Sequence, residues 1–297
     1  MISVRSLTKH FGKVKAVDDI SFEVEEQETL ILLGTSGSGK TTTLKMLNRL
    51  IEPTSGSIFI NQQNILEQKP EVLRLGIGYV LQNIGLFPHY TVAQNISIVP
   101  QLLKWDKKRT AHRIHELLEK LHLSQSQLHT YPAELSGGQQ QRVGLARALA
   151  ANPPVLLMDE PFGALDNVTK AKIRKEFKEL DELKKKTIIM VTHDVQEAFE
   201  LGDKICLMDA GKIVQLGKPT ELLFKPKNKF VKDFLDEQRL QLELKSVLLE
   251  DIKQEVNGFN MRESVWAVME KLKNHGNHIK EFEQLMSAFY QYKKQQE

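Results

Sequence analysis

The chain of 297 residues has room for about two domains of roughly 150 residues each, and a chain of that size buries about 75% of the surface its unfolded form exposes. Hydrophobic residues make up 41% and charged residues 27%, which excludes a disordered chain. With 41 Lys and Arg against 38 Asp and Glu the net charge is only +3, too balanced for a nucleic-acid reader working through bulk charge, and a single cysteine, Cys206, excludes an internal disulfide framework or a multi-cysteine zinc site.

The first ten residues lack the apolar stretch of a secretory signal. No run approaches 18 apolar residues, so the chain is not expected to cross a membrane itself. Ile20, Phe22 and Val24 alternate with polar neighbours, the period of a half-buried strand. Thr29–Leu33 is a continuous apolar run, which predicts a strand covered on both faces. A Gly/Ser-rich turn follows, then a helical pattern from Lys40 to Leu50 with Leu44, Leu47 and Ile51 on one side. Leu75–Leu103 contains no charged side chain, and its polar residues and prolines make it an uncharged surface region, with Leu86 and Phe87 equally readable as exposed groove or local core. Short apolar runs at Ile77–Leu81, Val155–Met158, Ile188–Val191 and Ile205–Met208 alternate with helical stretches, predicting an α/β domain with a mostly parallel sheet. Lys107–Leu123, with Ile114, Leu117, Leu118 and Leu121 on one face, joins a helix over Gln139–Ala151 in a helical insertion. Asp209-Ala-Gly-Lys212 predicts a hairpin turn.

Three stretches carry chemistry. Gly34-Thr-Ser-Gly-Ser-Gly-Lys-Thr41 fits the phosphate-loop pattern in its required place between a strand and a helix. Its glycines let backbone N–H groups turn around phosphate oxygens at a helix N-terminus, Lys40 reaches the β and γ phosphates, and the Thr41 hydroxyl ligates Mg²⁺. Asp159-Glu160 ends an apolar strand in two carboxylates: Asp159 suits Mg²⁺ through water, and Glu160 is free to orient and deprotonate an attacking water. Leu135-Ser-Gly-Gly-Gln139 opens a helix and offers a second anion site built from Ser136 and the amides of Gly137 and Gly138; a plain N-cap is the alternative. One phosphate loop with one extra anion site suggests two chains sharing nucleotides.

Taken together, these motifs resemble the ATP-binding subunit of an ABC transporter over roughly residues 1–235. The resembling set is the Walker A loop at 34–41, Gln82 as the Q-loop, Leu135–Gln139 as the signature, Asp159-Glu160 as Walker B and catalytic glutamate, Gly163-Ala-Leu-Asp166 as the D-loop, and His193 as the switch histidine. The resemblance implies a RecA-like core with an N-terminal antiparallel part and a helical subdomain over about 90–150. It implies ATP and Mg²⁺ as ligands, with Gly34, Thr35, Ser36, Gly37, Ser38, Gly39, Lys40, Thr41 and Thr42 around the phosphates. Phe11, where the family more often has Tyr, would stack the adenine. Thr41, Gln82 and Asp159 would serve the metal, and Glu160, His193 and Gln82 the chemistry. Ser136, Gly137, Gly138 and Gln139 would meet the γ-phosphate of the other protomer, and Asp166 would cross the same interface. Two copies would therefore join head to tail through ATP.

The family places its partner's coupling helix near Gly85–Tyr90, so the resemblance implies a separate transmembrane permease, a solute-binding protein, and a peripheral position on the cytoplasmic face of the cell membrane, with no nucleic-acid partner. Leu81–His89, Ile98–Trp105 and Pro153–Asp166 resemble most the group that imports quaternary amines, such as glycine betaine, proline, choline or carnitine. An importer ATPase for a sugar or an anion is the nearest alternative. A soluble ABC ATPase of chromosome maintenance is further off, since fewer than 100 residues separate Lys40 from Leu135, with no heptad run.

From about 238 the composition turns Glu/Lys/Leu-rich. The stretch 238–297 is expected to be a mainly helical extension. Val247–Ile252 and Ser264–Leu272 resemble the opening strand and helix of a CBS module, the later strands of which are missing. Asn260 marks the expected start of the Ser264–Leu272 helix, and Ile279, Phe282, Leu285, Met286 and Phe289 form a stripe on a last helix. This extension is expected to pack on itself or on the core, with dimer contact or regulation as the alternatives.

Overall fold

The computed structural model describes residues 1–163, 165–254, 256, 258–273 and 279–296. Among them the strands are β1 (Ile2–Phe11), β2 (Val14–Val24), β3 (Thr29–Gly34), β4 (Ser55–Ile60), β5 (Gln63–Asn64), β6 (Ile77–Val80), β7 (Val155–Asp159), β8 (Thr187–Thr192), β9 (Lys204–Asp209) and β10 (Lys212–Gly217). The helices are α1 (Lys40–Leu47), α2 (Pro70–Leu75), α3 (Val92–Leu102), α4 (Lys107–Lys120), α5 (Gly137–Leu149), α6 (Asn167–Glu179), α7 (Val195–Leu201), α8 (Pro219–Phe224), α9 (Lys229–Leu235), α10 (Arg239–Ser246), α11 (Leu249–Ile252), α12 (Val265–Lys273) and α13 (Ile279–Gln296).

The unbroken apolar run in β3 explains the layering. Leu30 to Leu33 are wholly buried, and their pleat sends Leu30 and Leu32 into one core and Ile31 and Leu33 into another. A strand with a core on each face must lie inside a sheet. Accordingly the main sheet runs β10-β9-β3-β8-β7-β6, parallel except for the antiparallel edge strand β10. The alternating strand β2 belongs to a second, antiparallel sheet of order β2-β1-β4-β5. Ile20, Phe22 and Val24 face its core while Ser21 and Glu23 are exposed. The turn at 209–212 joins β9 to β10, with Ala210 and Gly211 both at positive φ, as a two-residue hairpin requires.

α1 ends at Leu47 rather than Leu50. Asn48 caps it and Arg49 turns left-handed at φ 49°, a helix-stop conformation held by guanidinium bonds to Glu52 and to the carbonyl oxygen of Ile65. α3, α4 and α5 pack on one another; Ile114, Leu117, Leu118 and Leu121 are buried there. Leu86 packs against this core while Phe87 is exposed beside Tyr90, so the two halves of that pair divide.

In the C-terminal stretch, Leu242, Leu244, Val265, Val268, Leu285 and Phe289 belong to the same core as Ile31 and Leu33. α10 lies on α7 and α8, and Phe224 meets Tyr292 edge-on at 5.8 Å. Two expectations fail here. The strand expected over 247–252 reduces to a single bridge between Leu248 and Ser264, followed by the one-turn α11. Asn260 does not cap α12: it closes a turn of its own with Glu263 and Arg262, and Ser264 Oγ accepts from Ala267 N–H at 3.2 Å at the helix start. The stripe on α13 is also only partly covered, with Leu285 and Phe289 buried but Ile279 72% exposed.

A candidate nucleotide site at the ends of four strands

The phosphate loop follows β3, the pair Asp159-Glu160 closes β7, His193 follows β8, and Gln82 lies two residues past β6. These are four adjacent parallel strands, and their carboxyl ends are where open α/β sheets place ligands.

Two glycines make the loop possible. Gly34 has φ 152° and Gly39 φ 98°; a Cβ on the first would run into the Met208 carbonyl oxygen, and one on the second would sit 2.5 Å from the Ala16 carbonyl oxygen. Lys40 is turned into the loop and only 5% exposed. Its ammonium donates to the carbonyl oxygens of Gly34 at 2.8 Å and Thr35 at 2.7 Å and to Ser38 Oγ at 3.2 Å. Burial lowers its pKa, against the pull of the Glu160 and Asp159 charges. An arriving phosphate oxygen can replace those carbonyls without moving the helix. Thr35, Ser36 and Gly37 form the exposed outer rim, and Thr42 is half-buried in the first turn of α1.

Thr41 Oγ1 donates to Asp159 Oδ1 at 2.8 Å. Asp159 is almost fully buried; burial raises its pKa, with the Thr41 hydrogen bond and Lys45 opposing. A hydroxyl and a carboxylate side by side fit a hard cation that keeps waters and phosphate oxygens as its other ligands. Mg²⁺ therefore suits the donor set.

Glu160 holds the centre. Its backbone is left-handed at φ 44°, a conformation that costs on the order of 1–3 kcal/mol for such a residue and recurs at functional sites. One oxygen, Oε2, accepts from Gln82 Nε2 at 3.1 Å and faces His193 Nδ1 at 3.2 Å. Side chains from two strand ends thus converge on a single carboxylate oxygen carried by a third.

Phe11 ends β1 with its ring 49% exposed and Lys9 Nζ 5.1 Å from its centroid; the hairpin it opens runs back past the loop, where Ala16 meets Gly39. The signature residues are not brought to the phosphate loop. Ser136 Oγ accepts from Gln139 N–H at 3.3 Å and Gln139 Oε1 from Ser136 N–H at 2.8 Å, a closed capping box, so within one chain the N-cap reading describes it. Gly138 lies beside Thr169 and Ile173, and Gly137 beside Leu165. Asp166 caps α6, accepting from the amides of Val168 and Thr169, and its bonding to Thr169 holds its pKa low. Signature and D-loop are therefore neighbours, and among the described residues no hydrogen bond or ion pair ties either to the phosphate loop. Ala164, inside the D-loop stretch, lies outside the described residues.

Sequence reading missed the frame of His193. Thr192 donates to Glu197 at 2.5 Å, and Lys170 of α6 bridges Asp194 at 2.9 Å and the buried Glu197 at 2.8 Å. Asp194 also caps α7 through Glu197 N–H; Asp three residues before Glu at a helix start is the signal that could have found it.

The profile of the ABC transporter family matches residues 17–163. The glycine betaine/carnitine/choline transport ATP-binding protein OpuCA of Bacillus subtilis is 52% identical over 81% of this chain and 63% of its own length. The glycine betaine uptake system ATP-binding protein YehX of Escherichia coli is 49% identical over 83% of this chain and 80% of its own length. The chain thus spans less than two thirds of OpuCA. Among solved structures, a dimeric post-hydrolysis state of an ATP-binding cassette bound to ADP and Pi is 33% identical, with a TM-score of 0.65 over 73% of this chain and 98% of that one. The chain belongs to the ATP-binding proteins of the ABC transporter family.

Proposed function

We propose that this chain hydrolyses ATP to power ABC-type import of a quaternary amine or related osmoprotectant, such as glycine betaine, proline, choline or carnitine. The observation that carries the ATPase reading is the convergence of Gln82 and His193 on Glu160 Oε2 beside the Thr41–Asp159 pair. The loop amides and Lys40 hold the β and γ phosphates, and Phe11 stacks the adenine. Glu160 orients a water and takes its proton as the oxygen attacks the γ-phosphorus and the bond to the β-phosphate oxygen breaks, releasing ADP and phosphate. His193 donates to the γ-phosphate and keeps the water aligned, and Gln82 reports occupancy to the partner. Thr41 and Asp159, with Gln82 near them, would hold Mg²⁺, which would supply charge neutralisation to the phosphate groups.

The second half of each site is supplied by another copy through Ser136, Gly137, Gly138, Gln139 and Asp166, in a head-to-tail dimer; that the similar cassette bound to ADP and Pi is dimeric supports a pairing of two copies. No helix among the described residues is long and apolar enough to cross a membrane; the relatives' description as transport ATP-binding proteins supports a separate permease, with this chain peripheral on the cytoplasmic face and a solute-binding protein outside. A cleft of about 320 Å³ between Tyr79, Leu81, Phe87 and α3 suits the permease helix. The solute class rests on the names of the relatives.

Co-purification with the native membrane partner and binding protein, reconstitution in lipid and ATPase measurement against a solute panel test this. Stimulation by betaine, choline, carnitine or proline is expected. Stimulation only by a sugar or an anion overturns the solute class, and absence of any membrane partner overturns the transport reading.

A further inference from the structure

Gln82 reaches Glu160 from a loop whose own bonds are short-range only, Ile84 N–H donating to the Leu81 carbonyl oxygen at 3.0 Å and Gly85 N–H to that of Asn83. Two residues on, Ile84 and Gly85 are both left-handed, at φ 52° and φ 58°, and for a β-branched residue this is a genuine outlier. The far end of the loop is fixed separately: Asn95 of α3, wholly buried, accepts from Phe87 N–H at 2.8 Å and donates to the carbonyl oxygens of Phe87, Tyr90 and Thr91. Between Gln82 and Phe87 the side-chain bonds that tie the loop to the rest of the fold come from α5. Arg147 donates through Nη1 to the Gly85 carbonyl oxygen at 2.6 Å and through Nη2 to the Ile84 carbonyl oxygen at 2.8 Å. One turn earlier, Gly144 leaves the space that Ile84 fills, since a Cβ there would lie 3.0 Å from Ile84 Cγ2.

We propose that Arg147 is a positioning residue for the hydrolytic reaction: its two-pronged bond to the Ile84 and Gly85 carbonyls keeps the loop in its left-handed form and Gln82 on Glu160. Two adjacent carbonyls aimed the same way suit a guanidinium fork, which lysine's single ammonium does not reproduce. Burial lowers the Arg147 pKa, and the two carbonyl oxygens it bonds help to stabilise its charge. α5 is one rigid rod with Ser136 at its N-cap and Arg147 about 16 Å along it at 1.5 Å per residue. Displacement of the signature end therefore moves Arg147 and, with it, Gln82.

The inference rests on the ATPase reading for its catalytic consequence but not for the latch itself, and two measurements separate them. In hydrogen–deuterium exchange on the nucleotide-free full chain, Arg147→Met is expected to speed exchange over 83–86 while 34–41 and 87–95 stay as in the wild type. In ATPase assays the same variant is expected to lower kcat by about tenfold to about 10²-fold, the scale of a misplaced reacting group, with KM for ATP unchanged. In a Gln82→Ala background it should then cost nothing further. Unchanged exchange, or losses that multiply in the double variant, would overturn the proposal. Arg147→Lys keeps the charge and carries the test if the methionine variant does not fold; its restoring both readouts would also overturn it. A wild type without ATPase activity would strike the functional reading, and the exchange result would still decide the latch.

Discussion

Two helices begin in glycine-rich turns of nearly the same composition, and the structure treats them oppositely. α1 starts at Gly39, which is left-handed and offers no side-chain cap; the neighbouring lysine is folded inside the loop on two carbonyl oxygens. α5 starts at Ser136, whose hydroxyl and backbone are both taken up by Gln139, and no lysine lies in its turn. The first, the proposed phosphate site, holds its cation in place within one chain. The second satisfies its own polar groups and lacks a counter-charge, which fits the proposal that it completes a site on another copy. A helix N-terminus alone does not make a phosphate site; what fills it in the absence of phosphate distinguishes the two.

The strongest way to break that contrast is to stop turnover with both ends engaged. Glu160→Gln should keep ATP affinity but lower kcat by about 10²–10⁴, the worth of a positioned general base, and should hold a dimer in ATP that size-exclusion chromatography detects. Near-normal hydrolysis would move the base elsewhere. Next, Lys40→Ala should weaken ATP binding to the single chain by about 10-fold to 10²-fold, through loss of charge-assisted bonds. Ser136→Ala should leave that single-chain affinity alone and lower turnover instead. Equal losses of binding in the two variants, measured by titration below the dimerisation concentration, would erase the distinction.

Much of this was legible in advance because strand periodicity and glycine-rich turns are local. The run Thr29–Leu33 announced a buried strand, and the spacing of Gly34 to Thr41 announced the loop. What stayed hidden was long-range: that Lys170 reaches Asp194 and Glu197, or that Arg147 reaches Ile84, depends on how α5 and α6 lie against other strand ends, and no period in the chain encodes it. The extension misled for a different reason. Asn260 and Glu263 carry the right spacing for a capping box and form one half of it, Asn260 Oδ1 turning to Arg262 N–H instead, yet the helix takes the nearer Ser264, which is also bridged to Leu248. A local motif was right about the turn and wrong about what it starts.

A smaller effect separates the metal side of the loop from its amide side. Burial raises the Asp159 pKa above that of an ordinary aspartate, so on acidification it takes up a proton earlier than an exposed carboxylate does. The protonated acid is a poor ligand. Half-saturation by Mg²⁺ in the ATPase assay should therefore rise as the pH falls, starting above the ordinary aspartate range of about 3.9. ATP binding without metal, which rests on the loop amides and Lys40, should respond less. Parallel curves would mean that Asp159 does not touch the metal.

The smallest expected change is in stability, and it decides whether Ser136 is more than a cap. Removing the capping hydroxyl in Ser136→Ala should cost about 1 kcal/mol, a shift of roughly 2–4 °C in Tm for a chain of this order. Ser136→Asp should not show it, because aspartate caps as well as serine and its charge suits the helix N-terminus. The same aspartate would place a negative charge where the other protomer's γ-phosphate is to lie. A cap and an anion site therefore predict opposite rankings: a purely structural Ser136 makes the alanine variant the worse of the two in both melting and turnover, whereas a shared site makes the aspartate variant stable and inactive.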